Sequence, residues 1–216
     1  MTGPSLPIRH LLGRAIEGRY AELADSCCSL SCGEALGLAA PTAGETLVDL
    51  GCGRGQDVIR AAGRVGPKGA AIGVDRTVAM IEKARASVPP FLKNVRFVCC
   101  DLAALDLPDA TADVVISNCT INHAADKQAV YGEIHRILRP GGRFVVSDVI
   151  AETELPESVR NDPAAWAACY GGAIPEPQYL GAIRGAGFAS VEVLQRSEPY
   201  EKGGVLVRSL TVRGTR

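Results

Sequence analysis

The sequence lacks an excess of charge of either sign. Its 216 residues carry 23 Lys and Arg against 24 Asp and Glu, a formal net charge of −1 with the three His neutral, which excludes a charge-driven nucleic-acid binder. It has no apolar run approaching the ~20 residues of a membrane span. The stretch from Met1 to Arg14 lacks the basic, then apolar, then small-residue order of a secretory signal, so no membrane partner and a cytoplasmic location are expected. Internal repeats and low-complexity segments are missing too. With 47% hydrophobic and 22% charged residues, the chain has the balance of one globular domain able to bury most of its apolar surface, which argues against disorder. What is abundant is cysteine. Eight Cys among the reduced thiols of a cytoplasm need an explanation other than a disulfide framework.

Short runs rich in Val and Ile, at Thr46–Leu50, Ala70–Val74, Val95–Val98, Val114–Ile116 and Phe144–Val146, alternate with stretches of helical period at Asp57–Val65, Val78–Ser87 and Lys127–Leu138. The alternation predicts an α/β fold with a doubly wound, mostly parallel sheet. Pro140-Gly141-Gly142 is expected to stop the third helix. After Val149, four prolines between Pro156 and Pro177 mark an insertion over the sheet at about 151–178, with a short helix near Ala164–Tyr170. A helix at Tyr179–Ala186 follows, and Ser190–Leu194 with Val205–Val212 would complete seven strands as an edge hairpin. Leu11, Leu12, Ala15, Ile16 and Leu23 suggest an amphipathic helix before the first strand. Residues 1–44 are therefore expected as a helical, cysteine-rich lid segment, and 45–216 as the main domain.

The first strand runs into Asp49-Leu50-Gly51-Cys52-Gly53-Arg54-Gly55-Gln56-Asp57. Three glycines at spacing two let the backbone turn tightly and press against a ligand, in the crevice at strand carboxyl ends where open α/β sheets bind their ligands. A dinucleotide fingerprint would need its third glycine where Gln56 stands, which disfavours an NAD-dependent oxidoreductase. Asp75 closes the second strand and can accept from both hydroxyls of a ribose; Asp101 closes the third and can meet an adenine amine. Acidic residues at three successive strand ends suit a cationic nucleoside better than a pyrophosphate. These residues resemble the S-adenosylmethionine site of class I methyltransferases. Asp49, Gly51, Gly53 and Gly55 match its first motif, Asp75 its ribose contact and Asp101 its adenine contact, with a further match at Leu138–Arg143. The resemblance implies a Rossmann-like fold and S-adenosylmethionine as cofactor. Asp57 and Asn118 complete the expected binding set, and Met80 is expected either on the adenine face or in the helix core.

The fourth strand ends in Ser117-Asn118-Cys119-Thr120-Ile121-Asn122-His123, so Cys119 sits at the carboxyl edge of the sheet, where an acceptor would face the methyl donor. Cys169 lies in the insertion, which can fold over the same edge, and Cys27, Cys28 and Cys32 form a thiol patch before the first strand. The arrangement resembles the arsenite methyltransferases on Ser117–Asn122, on Asp126-Lys127, and on Leu155–Pro163 continuing to Cys169 and Gly171–Ala173. The match runs over about residues 45–193. It departs at both ends, where the amino-terminal cysteines are crowded and the carboxyl-terminal domain of longer members is absent. The resemblance implies that Cys119 and Cys169 bind trivalent arsenic, with arsenite as acceptor. It further implies that Cys27, Cys28 and Cys32 complete the chemistry, with an external thiol reductant, thioredoxin or glutathione, as partner. Softness agrees, because trivalent arsenic is thiophilic.

Blander readings stand beside these. Cys52, Cys99 and Cys100 read as small core residues, and His123 as a solvent-facing or packing histidine. Adjacent Cα atoms at Cys27 and Cys28 are about 3.8 Å apart, under the ~4.4 Å that an unstrained disulfide needs. A zinc site at Cys27, Cys28 and Cys32 lacks a second ligand pair. Two other functions remain open at this point: methylation of a quinone-like or lipid-like organic acceptor, and non-catalytic sequestration of arsenic or metal.

Overall fold

Thr46–Leu50 forms strand β1, with every residue after Thr46 buried, because helices cover both faces of the sheet it runs through. The computed structural model describes residues 6–25 and 34–216, with residues 6–10 by their backbone alone. Helices α1 (Leu6–Leu23) and α2 (Ala35–Ala39) precede β1, and three strand–helix units follow in sequence. They comprise α3 (Gln56–Val65), β2 (Ala70–Asp75), α4 (Val78–Ala86), β3 (Val95–Cys99), β4 (Ala112–Asn118), α5 (Lys127–Ile137) and β5 (Leu138–Ala151), with a 3₁₀ turn at Ile121–His123. Helices α6 (Glu157–Arg160), α7 (Pro163–Ala167) and α8 (Glu176–Gly185) lead to β6 (Ser190–Arg196), β7 (Tyr200–Lys202) and β8 (Val205–Thr215).

The strand order is β3-β2-β1-β4-β5-β8-β6, with β7 paired to β8 off this path. Strands β1 to β5 are parallel, and β8 runs antiparallel to β5 and β6. Chain order therefore reverses between β1 and β4, the switch point where such sheets open a crevice at their carboxyl ends. Two cores flank the sheet. Val48 and Leu50 face Tyr131, Ile134 and Phe144, while Leu47 faces Ala61, Ala62 and Ile81. A satellite cluster joins Leu12 and Ile16 of α1 to Trp166 and Ala167 of α7, each large side chain contributing about 1.5–3 kcal/mol relative to exposure. Among the described residues no helix is long and apolar enough to cross a membrane.

Three expectations need correction. Among the described residues the sheet has eight strands, because Tyr200–Lys202 folds back on β8 through Gly203 and Gly204, both at positive φ. Pro140-Gly141-Gly142 does not end α5. The helix stops at Ile137, and the buried Leu138 enters β5 at once, paired with Ala112. With Arg139 they instead form a bulge, with pairing jumping from Ala112–Leu138 to Val114–Arg143 and Gly141 at φ 79°. Strand β3 ends at Cys99, so Asp101 lies in the turn beyond it.

Candidate active site

The loop after β1 is tied to β2 by its own backbone. Gly51 and Cys52 donate to the Val74 carbonyl at 2.8 and 2.9 Å. Asp75 accepts from Gly53 N at 2.9 Å through one carboxylate oxygen and from Thr77 N at 2.8 Å through the other. Asn118, closing β4, donates to Asp57 Oδ2 at 3.3 Å and accepts from Ala35 N at 3.4 Å. Asp49 is only 4% exposed; burial raises its pKa well above the carboxylate range, and the neighbouring Asp57 and Asp75 raise it further. Burial also raises Asp75, against the hydrogen bonds from Thr77 and Gly53. A buried carboxylate such as Asp49, raised by two carboxylates beside it, is relieved by a cation in the cleft.

A cleft of about 240 Å³ is lined by Gly51, Gly53, Asp75, Asp101 and Asn118, and by Cys119, His123 and Cys169. A smaller recess of about 70 Å³ shares Gly51, Gly53 and Asn118 with it and adds Asp49 and Asp57. Helix α1 brings Tyr20 and Arg19 to the cleft and is fastened by Glu17, which accepts from Arg76 Nε and Nη2 at 3.2 and 2.8 Å.

Both cysteines have left-handed backbone, φ 55° at Cys119 and 69° at Cys169. That conformation costs an L-residue about 1–2 kcal/mol. Cys169 Sγ lies 3.2 Å from Tyr20 Oη and 3.2 Å from His123 Nε2, and the Tyr20 and His123 rings meet edge-on at 5.3 Å. Burial first, and Cys169 next, hold the Tyr20 phenol protonated far beyond neutral pH. Burial, then Lys127 and Arg76, push His123 down to about 4, so its ring is neutral at pH 7. Beneath this layer lies a buried polar group. Burial lowers Lys127 to about 8 and raises Asp148 to about 7, each partly offset by the other's charge.

The methyltransferase-domain family matches residues 41–203. An arsenic(III) S-adenosylmethionine methyltransferase from Chlamydomonas reinhardtii superposes with a TM-score of 0.75 at 32% identity, over 92% of this chain and 72% of that one. The chain belongs to the arsenite methyltransferase family. The family's protein from Halobacterium salinarum is 40% identical over 183 residues, 84% of this chain and 47% of its own length. The chain thus spans about half the length of the curated relatives it matches. Phosphoethanolamine N-methyltransferase 2 of Haemonchus contortus, at 18% identity and a TM-score of 0.73, shares the fold.

In this arsenite methyltransferase family member, Gly51, Gly53, Asp75, Asp101, Asn118, Cys119 and Cys169 meet on one cleft, and Asp49 and Asp57 on the recess that joins it. Two residues expected at the cofactor line neither the cleft nor the recess. Gly55 caps α3 and faces the Phe97 ring. Met80 is fully buried, its sulfur 4.0 Å from where a Cβ on Gly53 would stand. Cys27, Cys28 and Cys32 lie outside the described residues. Cys52 is buried, but Cys99 is exposed, because β3 is an edge strand. Among the described residues no group of three or more His, Cys, Asp or Glu could hold a metal ion. Sequence reasoning passed over Tyr20, although it continues the i, i+4 stripe of Leu12 and Ile16. It also assigned no role to Lys127, Asn122 or Asp148, whose association is purely tertiary.

Proposed function

We propose that this chain transfers methyl groups from S-adenosylmethionine to trivalent arsenic held by the thiols of Cys119 and Cys169. The observation that carries the reading is that two cysteines from distant segments line one cleft with the acidic strand ends. The activity named for the relatives agrees with it.

The residues present fit the methyl donor. Gly51, without room for a Cβ beside Thr120, lets the loop pack against the Cys119–Thr120 turn where both line the cleft. The recess between Asp49 and Asp57 suits an ammonium group, Asp75 a ribose and Asp101 an adenine amine, while Asn118 holds Asp57 in place. When bound, S-adenosylmethionine supplies an electrophilic methyl group on a positively charged sulfur. The chain's own part begins with ligation. The thiols of Cys119 and Cys169 displace two hydroxides from arsenite, forming two As–S bonds and breaking two As–O bonds, and the thiol protons leave with the hydroxides as two waters. The arsenic lone pair stays available, so no strong general base is required. Neutral His123 and the Tyr20 hydroxyl, on either side of Cys169 Sγ, orient that thiol. Alignment of bound reactants is worth about 7–11 kcal/mol in good cases. Methylation raises arsenic to the pentavalent state. Two thiols returning it to the trivalent state give up two electrons and become a disulfide; we assign that role to Cys27, Cys28 or Cys32, with thioredoxin or glutathione restoring them in a reducing cytoplasm. We assign the amino-terminal segment the role of a lid, on the ground that α1 brings Arg19 and Tyr20 to the cleft.

The test is product speciation: incubation with arsenite, S-adenosylmethionine and a thiol yields methylated arsenic, while Cys119→Ser and Cys169→Ser lose at least about 100-fold in rate. No product from the unaltered chain, or full activity in Cys119→Ser, overturns the reading.

A further inference from the structure

The turn that carries Cys169 is held from beneath by a buried charge to which ligation and methyl transfer give no role. Lys127, the first residue of α5, is 6% exposed. Its Nζ donates to the Gly172 carbonyl at 2.6 Å and to the Ala124 carbonyl at 3.3 Å. Asp148 on β5, 1% exposed, accepts from the backbone N–H of Asn122 and of Val149 at 3.1 Å each. Tyr179 donates to Asp148 at 3.3 Å and accepts from Tyr131 at 2.9 Å. Asn122 donates through Nδ2 to the carbonyls of Val149 and of Cys169, the latter at 3.2 Å, yet its Oδ1 is buried with no hydrogen-bond partner.

This is an expensive way to fill space. An ammonium and a carboxylate taken out of water cost several kcal/mol each unless geometry and further hydrogen bonds compensate, and an apolar pair of similar volume is often at least as stable. An orphaned amide oxygen adds to the cost. What the group achieves is connection. Cys119 N–H bonds to the Ser147 carbonyl at 2.8 Å, one residue before Asp148, and the Cys169 carbonyl bonds to Asn122. The two ends of the network are thus the backbones of the two cysteines. Gly172 seats so closely that a Cβ there would lie 2.0 Å from the Asn122 carbonyl oxygen.

We infer that Lys127, with Asn122 and Asp148, is a positioning group that fixes the Cys169–Gly172 turn against the end of β4 so that the two thiols reach one arsenic atom. The inference rests on the arsenic ligation proposed above. It identifies Lys127 as a residue that acts on the substrate only through the chain it holds.

The experiment reads paired-thiol geometry directly. Phenylarsine oxide condenses with two thiols, forming two As–S bonds while its oxygen leaves as water with both thiol protons. Cys27, Cys28, Cys32, Cys99 and Cys100 are first changed to Ser; with the remaining Cys52 buried, capture then reports on Cys119 and Cys169. In that parent, Lys127→Met and the charge-neutral pair Lys127→Met with Asp148→Asn are compared; the pair avoids leaving a carboxylate buried alone. The expected result is capture weakened about 10- to 100-fold, the scale for a misplacement near 1 Å. Alkylation of each thiol by iodoacetamide and affinity for S-adenosylmethionine should stay within about twofold. Unchanged capture in the double variant, no capture by the parent, or a loss of capture matched by an equal loss of cofactor affinity overturns the inference. The functional reading fails separately: a chain that does not methylate arsenite, yet loses paired capture in these variants, refutes arsenic methylation and leaves the positioning role standing.

Discussion

A single methyl group at Gly51 tests how closely the cofactor loop and the Cys119 turn are joined. Gly51 has φ 74°, and a Cβ there would lie 2.1 Å from Thr120 Oγ1, 2.2 Å from its Cγ2 and 2.5 Å from its Cβ. Thr120 cannot swing aside, since its hydroxyl donates to the Asn118 carbonyl at 3.0 Å and all three side-chain atoms stand within the clash. In Gly51→Ala the backbone must give way, and with it Cys119 one residue earlier. The left-handed conformation costs about 1–2 kcal/mol in a non-glycine residue and overpacking about 1–3 kcal/mol, together about 2–5 kcal/mol of a total stability of about 5–15 kcal/mol. At this chain length the loss lowers Tm by about 4–20 °C. Urea unfolding of Gly51→Ala, Thr120→Gly and the double variant separates the two costs. Removing the Thr120 side chain should return the overpacking share as a coupling of about 1–3 kcal/mol, while the backbone share persists. A Gly51→Ala loss under about 0.5 kcal/mol, or two single costs that simply add, refutes the reasoning.

Two further outcomes follow from single residues. His123 is held neutral when folded, at about 4, but takes up a proton near 6.5 when unfolded. Its contribution is therefore complete above pH 6.5 and lost as pH falls toward 4, by about 2–3 kcal/mol after allowance for partial exposure; urea unfolding at pH 7.5 and 4.5 should show a smaller difference in His123→Gln, and an equal one disproves this. At Cys119, with φ 55°, glycine should be more stable than alanine by about 1 kcal/mol, the reverse of the order at an ordinary position; equal melting of Cys119→Gly and Cys119→Ala would exclude backbone strain there.

Much of the fold is legible because a parallel sheet covered on both faces demands continuous apolar strands. Thr46–Leu50 can be read off residue by residue for that reason, and helix α3 begins one residue before the expected Asp57. The misreadings each have a local cause. Pro-Gly-Gly reads as a helix stop, yet a strand can absorb it as a bulge when Leu138, two residues earlier, gains full burial by pairing at once. Three residues of β7 are too few to carry a period. Cys99 looks like a core residue until the strand order makes β3 an edge, and that order is set by tertiary packing. In the candidate site, Asp75, Asn118 and Cys119 are readable because strand ends are readable, and strand ends in such a sheet converge. The network under Cys169 is not, because Asn122, Lys127 and Asp148 carry no spacing rule that joins them.

The positions of strain and of buried charge belong to one design. Among the described residues only four other than glycine have positive φ, and two of these are Cys119 and Cys169. Neither conformation is stable by itself, so each needs surroundings that over-determine it. Cys119 is pinned through its N–H to β5; Cys169 is pinned through its N–H to Trp166 O and through its carbonyl to Asn122. A flexible pair of thiols would have to be brought together each time a ligand bound, with an ordering cost of about 0.5–1.5 kcal/mol for each side chain immobilised. Here that cost is met during folding, by β5, by the Lys127–Asp148 group and by the clamp of α1 on α7. The fold accepts lower stability at the carboxyl edge of β4 in return for two sulfur atoms whose backbones are already fixed beside the acidic cleft.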